Sequence, residues 1–161
     1  MKLLIVRHGD PDYTIDSLTP KGWKEVDYLS EKLAKLDVKA FYVSPLGRAR
    51  DTASLTLKKM NRTATEEPWL REFDAHIHRP DDPEKENISW DWLPQDWMAD
   101  ERFFQYDHWF ENEAMQEGHV KEEYDRVIGE FDKLLAKHGY EREGHYYKVN
   151  EENNDTIIFF C

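Results

Sequence analysis

The chain has 161 residues, of which 34 are acidic and 22 basic, so its formal net charge at neutral pH is −12. The length suits one domain that can bury a hydrophobic core. The acidic balance argues against a nucleic acid or an anionic membrane as partner, because both would be repelled. An aromatic content of 14% is too high for a disordered chain, so the composition indicates a soluble globular protein.

The cysteine content and the amino-terminal segment bear on location. A single cysteine, Cys161, excludes an internal disulfide framework and fits a reducing compartment. The apolar run Met1–Val6 is too short for the hydrophobic region of a secretory signal, and charged residues follow it directly. No stretch approaches the roughly 20 apolar residues that span a bilayer. We therefore expect a cytoplasmic protein.

The first predicted strand, Lys2–Val6, is followed directly by Arg7, His8 and Gly9. In open α/β sheets, ligands bind at the carboxyl ends of the strands. Arginine supplies a planar, permanently charged fork that suits phosphate, and histidine supplies a nucleophilic nitrogen that titrates near neutrality. Gly9 is expected to let the backbone turn tightly. The alternative is that an Arg-His pair lies at a strand end by chance.

The next elements alternate between helix and strand. Thr19 and Pro20 predict a helix start, with threonine as N-cap and proline at the first helical position. Apolar residues then recur at steps of three and four over residues 23–36, which is the pattern of one helix face. Further elements are predicted at Val38–Val43 (strand), Leu46–Met60 (helix), Ala64–Leu70 (strand), Val120–His138 (helix, stopped by Gly139), Tyr146–Val149 (edge strand or hairpin arm) and Thr156–Phe160 (strand). This alternation predicts an α/β layered sheet.

Residues 73–118 lack a clean periodicity and mix acidic residues, prolines and tryptophans. We interpret residues 73–120 as an inserted cap with short helices, and the acidic run Glu111–Glu123 as a solvated helical face. The aromatic residues of this segment are interpreted as the core of the cap: Trp90, Trp92, Trp97, Phe103, Phe104, Tyr106, Trp109 and Phe110. The alternative is an aromatic wall that contacts a hydrophobic or ring-bearing phosphoester.

Two histidines in the same segment, His76 and His78, have the spacing of a metal site on one side of a strand. Asp74, Asp81, Asp82 and His108 are the acidic and imidazole side chains that could join them. Acidic loops contain such patterns by chance, so we predict no metal here. Contact of His76 or His78 with a substrate is the favoured interpretation.

Three motifs in chain order carry a resemblance. They are Arg7-His8-Gly9, Leu18-Thr19-Pro20-Lys21-Gly22 and Ser44-Pro45-Leu46-Gly47-Arg48-Ala49-Arg50-Asp51-Thr52-Ala53. Together they resemble the histidine phosphatase (phosphoglycerate mutase-like) superfamily, closely over residues 2–72 and loosely in the final strand. The resemblance implies a three-layer α/β/α sandwich of the phosphoglycerate mutase type. Residues 1–161 would then form one domain, with residues 73–120 as its aromatic-rich capping insertion.

Arg48 is expected in the first turn of the second helix, at the same sheet edge as Arg7. The two arginines are therefore expected to flank one anion, helped by free backbone N–H groups at the start of that helix. The alternative for Arg48 is a surface salt bridge with Asp51 or Glu72. Arg50 is expected to point to another face and to be solvated.

The resemblance implies a role for each of four residues. His8 would attack phosphorus and carry a phosphohistidine, and Arg7 and Arg48 would stabilise the equatorial oxygens during in-line transfer. Glu72, in a Leu-Arg-Glu stretch after the third predicted strand, would protonate the leaving alkoxide and then activate water. A surface glutamate without a role is the alternative for Glu72. The chemistry implies no metal and no cofactor.

The same resemblance implies a second histidine in the phosphate pocket, directly after an apolar strand near the carboxyl end. The matching strand, Thr156–Phe160, is followed only by Cys161. His138 and His145 do not follow an apolar strand. We therefore expect the 161 residues to be an incomplete, truncated catalytic unit with reduced activity.

The function expected from this resemblance is a phosphomonoester phosphatase that uses a phosphohistidine on a small phosphorylated metabolite. One alternative is phosphoryl transfer of the phosphoglycerate mutase type, which needs a strongly basic pocket, whereas the predicted cap is acidic. The other is a non-catalytic phosphate-binding module. The expected partner is a small-molecule phosphoester, with no nucleic acid and no membrane, and the sequence does not predict an oligomeric state.

Overall fold

The computed structural model describes all 161 residues, and their contacts group them into two units. The first unit consists of Met1–Glu72 and Leu135–Cys161, and the second is Phe73–Leu134. The second unit begins where the capping insertion was predicted to begin and continues past residue 120. That it caps a site stays a prediction.

The bounds of the regular elements are as follows. The helices are α1 (Pro20–Leu33), α2 (Gly47–Met60), α3 (Pro94–Met98), α4 (Glu113–Glu117) and α5 (Val120–Lys137). The strands are β1 (Lys2–Val6), β2 (Pro11–Asp12), β3 (Ser17–Leu18), β4 (Ala40–Val43), β5 (Thr65–Glu66), β6 (His76–Arg79), β7 (Asp82–Ile88), β8 (Tyr140–Glu143), β9 (Tyr146–Val149) and β10 (Thr156–Phe160). None of the helices has the length and apolar character that crossing a bilayer requires.

The sheet of the first unit has four parallel strands in the order β1-β10-β4-β5. The last strand of the chain therefore lies in the middle, where Phe160 is in register with Val6 on one side and Val43 on the other. Because all strands run in the same direction, the carboxyl ends of β1, β10 and β4 meet at one edge. The predicted α/β class with a parallel sheet flanked by helices is confirmed.

The two faces of the sheet are covered by different residues. One face packs against α1 and α2 in a single buried cluster: Leu33, Val38, Phe41, Val43, Ala49, Ala53, Ile158 and Phe160. On the other face the rings of Tyr42 and Phe159 stack with centroids 5.4 Å apart, and Trp69 and His138 contact them edge-on. Successive residues of β4 and β10 are buried on opposite faces of the sheet, as the period-2 geometry of a strand requires.

Two predicted elements of the first unit have different outcomes. The helix start at Thr19 is confirmed, since its hydroxyl accepts a hydrogen bond from the Gly22 N–H at 3.1 Å. The third predicted strand, Ala64–Leu70, is wrong in extent, because only Thr65–Glu66 pairs with β4. Pro68 then begins a short 3₁₀ turn, and its missing N–H could not have continued the ladder.

The second unit contains a hairpin, β6 with β7, that the sequence analysis did not predict. Strand β7 is largely exposed and rich in acidic residues, so it shows no apolar alternation. The predicted aromatic core is correct for Trp92, with Trp97, Phe103 and Trp109 packed against its cluster. It is wrong for three residues, which are exposed: Trp90, Phe104 and Tyr106.

The net charge of the chain lies entirely in the second unit. Residues 73–134 contain 18 acidic and six basic side chains, which account for the net charge of −12. The remaining residues contain 16 of each sign. The unit that holds the parallel sheet is therefore electrically neutral as a whole.

A hairpin formed by β8 and β9 leads from α5 to the central strand, which confirms the predicted hairpin arm at Tyr146–Val149. Gly139, the predicted helix stop, has a left-handed φ of 86°, a conformation that glycine adopts at little cost. Next to it, the Nε2 atom of His138 lies 2.8 Å from the hydroxyl of Tyr42. This bond ties the end of α5 to β4.

We predict that His138 makes the stability of the fold depend on pH. Burial lowers the pKa of His138 below its ordinary value of 6.5, with Lys39 and Lys137 adding to the effect and Asp155 opposing it. As the pH falls, His138 takes up a proton in the unfolded chain before it does so in the folded chain. The contribution of neutral His138 to the free energy of unfolding is therefore complete above pH 6.5 and is lost as the pH falls through the folded-state pKa. In thermal unfolding, we expect the difference between wild type and His138→Gln to shrink on acidification. A difference that is independent of pH would contradict this assignment.

Candidate active site

The predicted nucleophile, His8, lies in the loop that leaves the carboxyl end of β1. Its backbone N–H donates to the Cys161 carbonyl at 2.7 Å, which continues the pairing of β1 with β10. Its Nδ1 atom lies 2.8 Å from the carbonyl oxygen of Gly9. A carbonyl oxygen can only accept, so this bond requires a proton on Nδ1, and in the neutral ring Nε2 then carries the lone pair.

Arg7, the residue that precedes His8 in the motif, is exposed and has no hydrogen-bond or ion-pair partner. The carboxyl end of β1 is thus followed by a guanidinium without a protein partner. No hydrogen bond or ion pair joins His8 to Arg48 or Glu72. An arginine without a protein partner retains all five of its N–H donors for a ligand.

Thr52 connects the His8 loop to α2, a role that the sequence analysis did not identify. The fully buried hydroxyl of Thr52 accepts a hydrogen bond from the Gly9 N–H at 3.1 Å and donates to the Arg48 carbonyl at 2.7 Å. The threonine of the S-P-L-x-R-A-x-x-T-A motif was the available signal. This hydroxyl fixes the loop that holds His8 relative to the helix that carries Arg48.

The glycines of the first two motifs allow this loop to pack closely against α1. A Cβ on Gly22 would lie 2.3 Å from the carbonyl oxygen of Asp10, and one on Gly9 would lie 3.1 Å from the Gly22 oxygen. Both distances are too short for an unstrained contact with backbone. Gly9 is not among the glycines with positive φ, so the expectation that it serves a tight turn is replaced by a requirement for space.

Arg48 and Glu72, two of the predicted site residues, form a direct ion pair. The Nη2 atom of Arg48 donates to Glu72 at 2.8 Å, and Nη1 donates to Asp16 at the same distance. The side chain of Arg48 is only 10% exposed, and its guanidinium lies 5.3 Å from the centre of the Tyr13 ring. The alternative of a surface salt bridge is therefore wrong in placing Arg48 at the surface, although the partner that it named, Glu72, is correct.

The Nε atom of Arg48 is buried and has no hydrogen-bond partner. An unsatisfied buried donor is costly and calls for an explanation, such as a ligand that the chain binds. The Glu72 side chain is 54% exposed, so solvent can reach it beside this arginine. Arg50 is exposed and pairs with Glu66, as expected for a solvated residue.

Asp16 is a site residue that the sequence analysis missed. Its carboxylate accepts hydrogen bonds from the backbone N–H groups of Gly47, at 2.6 Å, and Arg48, at 3.5 Å. The expectation of free N–H groups at the start of α2 is therefore wrong, because an acidic side chain already occupies them. Burial opposes ionisation of Asp16, but the hydrogen bonds from Gly47 and Arg48 outweigh it and lower its pKa.

The histidines of the second unit have local partners. His76 pairs with Glu86 at 3.7 Å and His78 with Glu117 at 3.2 Å. His108 pairs with Glu111, and the hydrogen bond between them raises the pKa of His108. No group of three or more histidine, cysteine or acidic side chains in the chain could hold a metal ion. Contact of His76 or His78 with a substrate stays a prediction.

The sequence matches a known protein family and two curated relatives. The model of a family described as the histidine phosphatase superfamily (branch 1) matches residues 3–143. The 2,3-bisphosphoglycerate-dependent phosphoglycerate mutase of Thermoplasma acidophilum is 33% identical over 80 residues, which are 44% of this chain and 40% of that protein. The mitochondrial serine/threonine-protein phosphatase Pgam5 of Caenorhabditis elegans is 32% identical over 95 residues, which are 51% of this chain and 34% of that protein.

A solved structure resembles the whole chain in fold. The alpha-ribazole phosphatase of Shigella flexneri superimposes with a TM-score of 0.51 and 18% identity, over 99% of this chain and 73% of that one. At this identity the likeness concerns the fold alone. The alignments with the two curated relatives cover only 40% and 34% of their lengths.

We predict that replacing Thr52 by valine destabilises the fold, whereas the same change at Thr56 does not. Thr52→Val leaves the Gly9 N–H without its partner and removes the side-chain hydrogen bond to the Arg48 carbonyl, which is expected to cost about 1–3 kcal/mol of unfolding free energy. Thr56 is the matched control, because it is fully buried on the same helix and its hydroxyl has no partner. Chemical denaturation of the three proteins is the measurement. Equal losses in the two variants would refute a special role for the Thr52 hydroxyl.

Proposed function

Because the chain belongs to the histidine phosphatase superfamily (branch 1), whose members include phosphatases and mutases on small phosphorylated metabolites, we propose that it is a phosphomonoester phosphatase. The proposed nucleophile is Nε2 of His8. The observation that carries the proposal is the 2.8 Å hydrogen bond between Nδ1 of His8 and the Gly9 carbonyl. It holds the ring in the tautomer whose other nitrogen can attack phosphorus.

The proposed reaction has two steps. In the first, Nε2 of His8 forms a bond to phosphorus while the ester P–O bond breaks, and Glu72, after taking up a proton from solvent, gives that proton to the leaving alkoxide. In the second, water attacks phosphorus, the N–P bond breaks and Glu72 takes the proton from that water. Inorganic phosphate leaves, and both side chains return to their starting states.

The two arginines are proposed to bind the phosphoryl oxygens. Arg7 supports this role because its guanidinium has no protein partner. Arg48 supports it because only two of the five N–H donors of an arginine are used in its ion pairs with Asp16 and Glu72. Positive charge held in place before the reaction stabilises the charge that develops on the equatorial oxygens.

The position of Glu72 supports its role as the proton donor and acceptor. Its carboxylate touches Arg48, the proposed phosphate ligand, and more than half of its surface faces solvent. A group in this role has to meet both the leaving oxygen and a water molecule, which a buried glutamate could not do. The activity and substrate of the whole protein are part of the proposal, since the aligned region is less than half of either curated relative.

We expect the chain to release p-nitrophenol from p-nitrophenyl phosphate, and His8→Ala to lower the rate by about a thousandfold or more, as loss of a catalytic nucleophile does. His108→Ala is the control, because this histidine pairs with a neighbouring glutamate in the second unit. Activity that survives in His8→Ala would exclude the phosphohistidine. A wild type that is silent but melts at a higher temperature with phosphate would instead indicate a phosphate-binding module.

A phosphoglycerate mutase is the second candidate, and it is favoured by the name of the Thermoplasma relative. A mutase must retain the phosphoryl group and return it to the sugar acid. We expect 3-phosphoglycerate to give free phosphate rather than its isomer. Phosphorus NMR of the products separates the two outcomes, and accumulation of 2-phosphoglycerate would overturn the phosphatase proposal.

A further inference from the structure

The loop between β2 and β3 approaches the start of α2 more closely than any side chain on the helix would allow. A Cβ on Gly47 would lie 2.0 Å from the carbonyl oxygen of Asp16. Asp16 itself has a left-handed φ of 47°, a conformation that residues other than glycine adopt at a cost of roughly 1 kcal/mol. The close approach and the left-handed backbone both cost free energy, so a favourable interaction at this contact has to offset that cost.

The compensation comes from the carboxylate of Asp16. It accepts hydrogen bonds from the Gly47 N–H at 2.6 Å, from the Arg48 N–H at 3.5 Å and from Nη1 of Arg48 at 2.8 Å. The N-cap position of α2 is Leu46, which has no side chain able to cap. Asp16 therefore caps this helix from a distant part of the chain and holds the side chain of Arg48 at the same time.

We infer that Asp16 is a positioning residue, which sets the guanidinium of Arg48 in place before a phosphoryl group arrives. The inference rests on the proposed function, in which Arg48 binds that group. A guanidinium that is nine-tenths buried needs a partner for its charge. Asp16 supplies the partner from one side, and the ring of Tyr13 covers one face.

The two carboxylates on Arg48 differ in a way that separates their roles. Glu72 makes a single hydrogen bond, to Nη2 of Arg48. It can leave the arginine and move a proton. Asp16 cannot release Arg48 by rotating away without also releasing the first turn of α2. Asp16 therefore holds the arginine, and Glu72 remains free for acid–base chemistry.

The occupied helix start also determines how an anion must bind. Free backbone N–H groups at a helix N-terminus commonly bind phosphate, but here Asp16 uses those of Gly47 and Arg48. A phosphoryl group is thus bound by side chains, namely the remaining N–H groups of Arg48 and the free guanidinium of Arg7. The orientation of Arg48 then matters more than it would in a site built from backbone.

The direct test observes the guanidinium of Arg48 by nitrogen-15 NMR, with Arg48→Lys to assign its signals. In the wild type we expect separate Nη–H signals, because ion pairs on both Nη atoms hinder rotation. Asp16→Ala should average them, and Asp16→Asn, which keeps one acceptor oxygen, should restore them in part. The control is Asp12→Asn in the same loop, whose carboxylate binds only Thr14 and should change nothing. Signals that stay separate in Asp16→Ala would overturn the inference.

The consequence for binding is tested with orthovanadate by calorimetry. We expect Asp16→Ala to weaken binding about tenfold, as the loss of one orienting charged hydrogen bond would, while Asp12→Asn binds as the wild type does. A purely structural role would lower the melting temperature and leave the affinity unchanged, which would refute the inference. If the wild type binds no vanadate, the proposed function fails, and the NMR result still decides the role of Asp16.

Discussion

The buried positive charge of Arg48 is the constraint around which this part of the molecule is organised. Breaking up a buried ion pair by removal of one partner typically costs about 3–5 kcal/mol, so the chain must deliver carboxylates to this point. It does so from two directions, with Asp16 in the loop before α1 and Glu72 after the third strand of the sheet. The same helix turn that presents Arg48 is linked through Thr52 to the His8 loop. The helix turn that carries Arg48 thus contacts both the loop of the proposed nucleophile and the proposed acid.

The parts that could be predicted from the sequence are those with a local signal. Strand β1, the Thr19 cap and α2 are marked by an apolar run, by Thr-Pro and by a motif of fixed spacing, and the structure has all three. Glu72 could be selected because its Leu-Arg-Glu stretch resembles one in the family, and in the structure it pairs with Arg48. The roles of His8, Arg7, Arg48 and Glu72 stay predictions until they are measured.

What could not be predicted depends on residues that meet only in the folded chain. Asp16 looks like any acidic loop residue, because its partners lie 31 and 32 positions further along. Strand β7 is exposed along most of its length and pairs through backbone, so its side chains carry no periodic signal. Phe104 and Tyr106 are exposed despite their apolar rings, since composition alone does not say which aromatic residues find room in a core.

The position of β10 has a consequence for how the protein is made. Strand β1 is synthesised long before β10, which is its only neighbour in the sheet. The Lys2–Thr156 pairing therefore cannot form until the chain has been synthesised at least as far as Thr156. Until then the edge of β4 that β10 later covers is open to other strands, and such unpaired edges are sites of misassociation. The His8 loop, whose N–H donates to the Cys161 carbonyl, therefore reaches its final shape only after β10 has been made, so the site is completed together with the sheet.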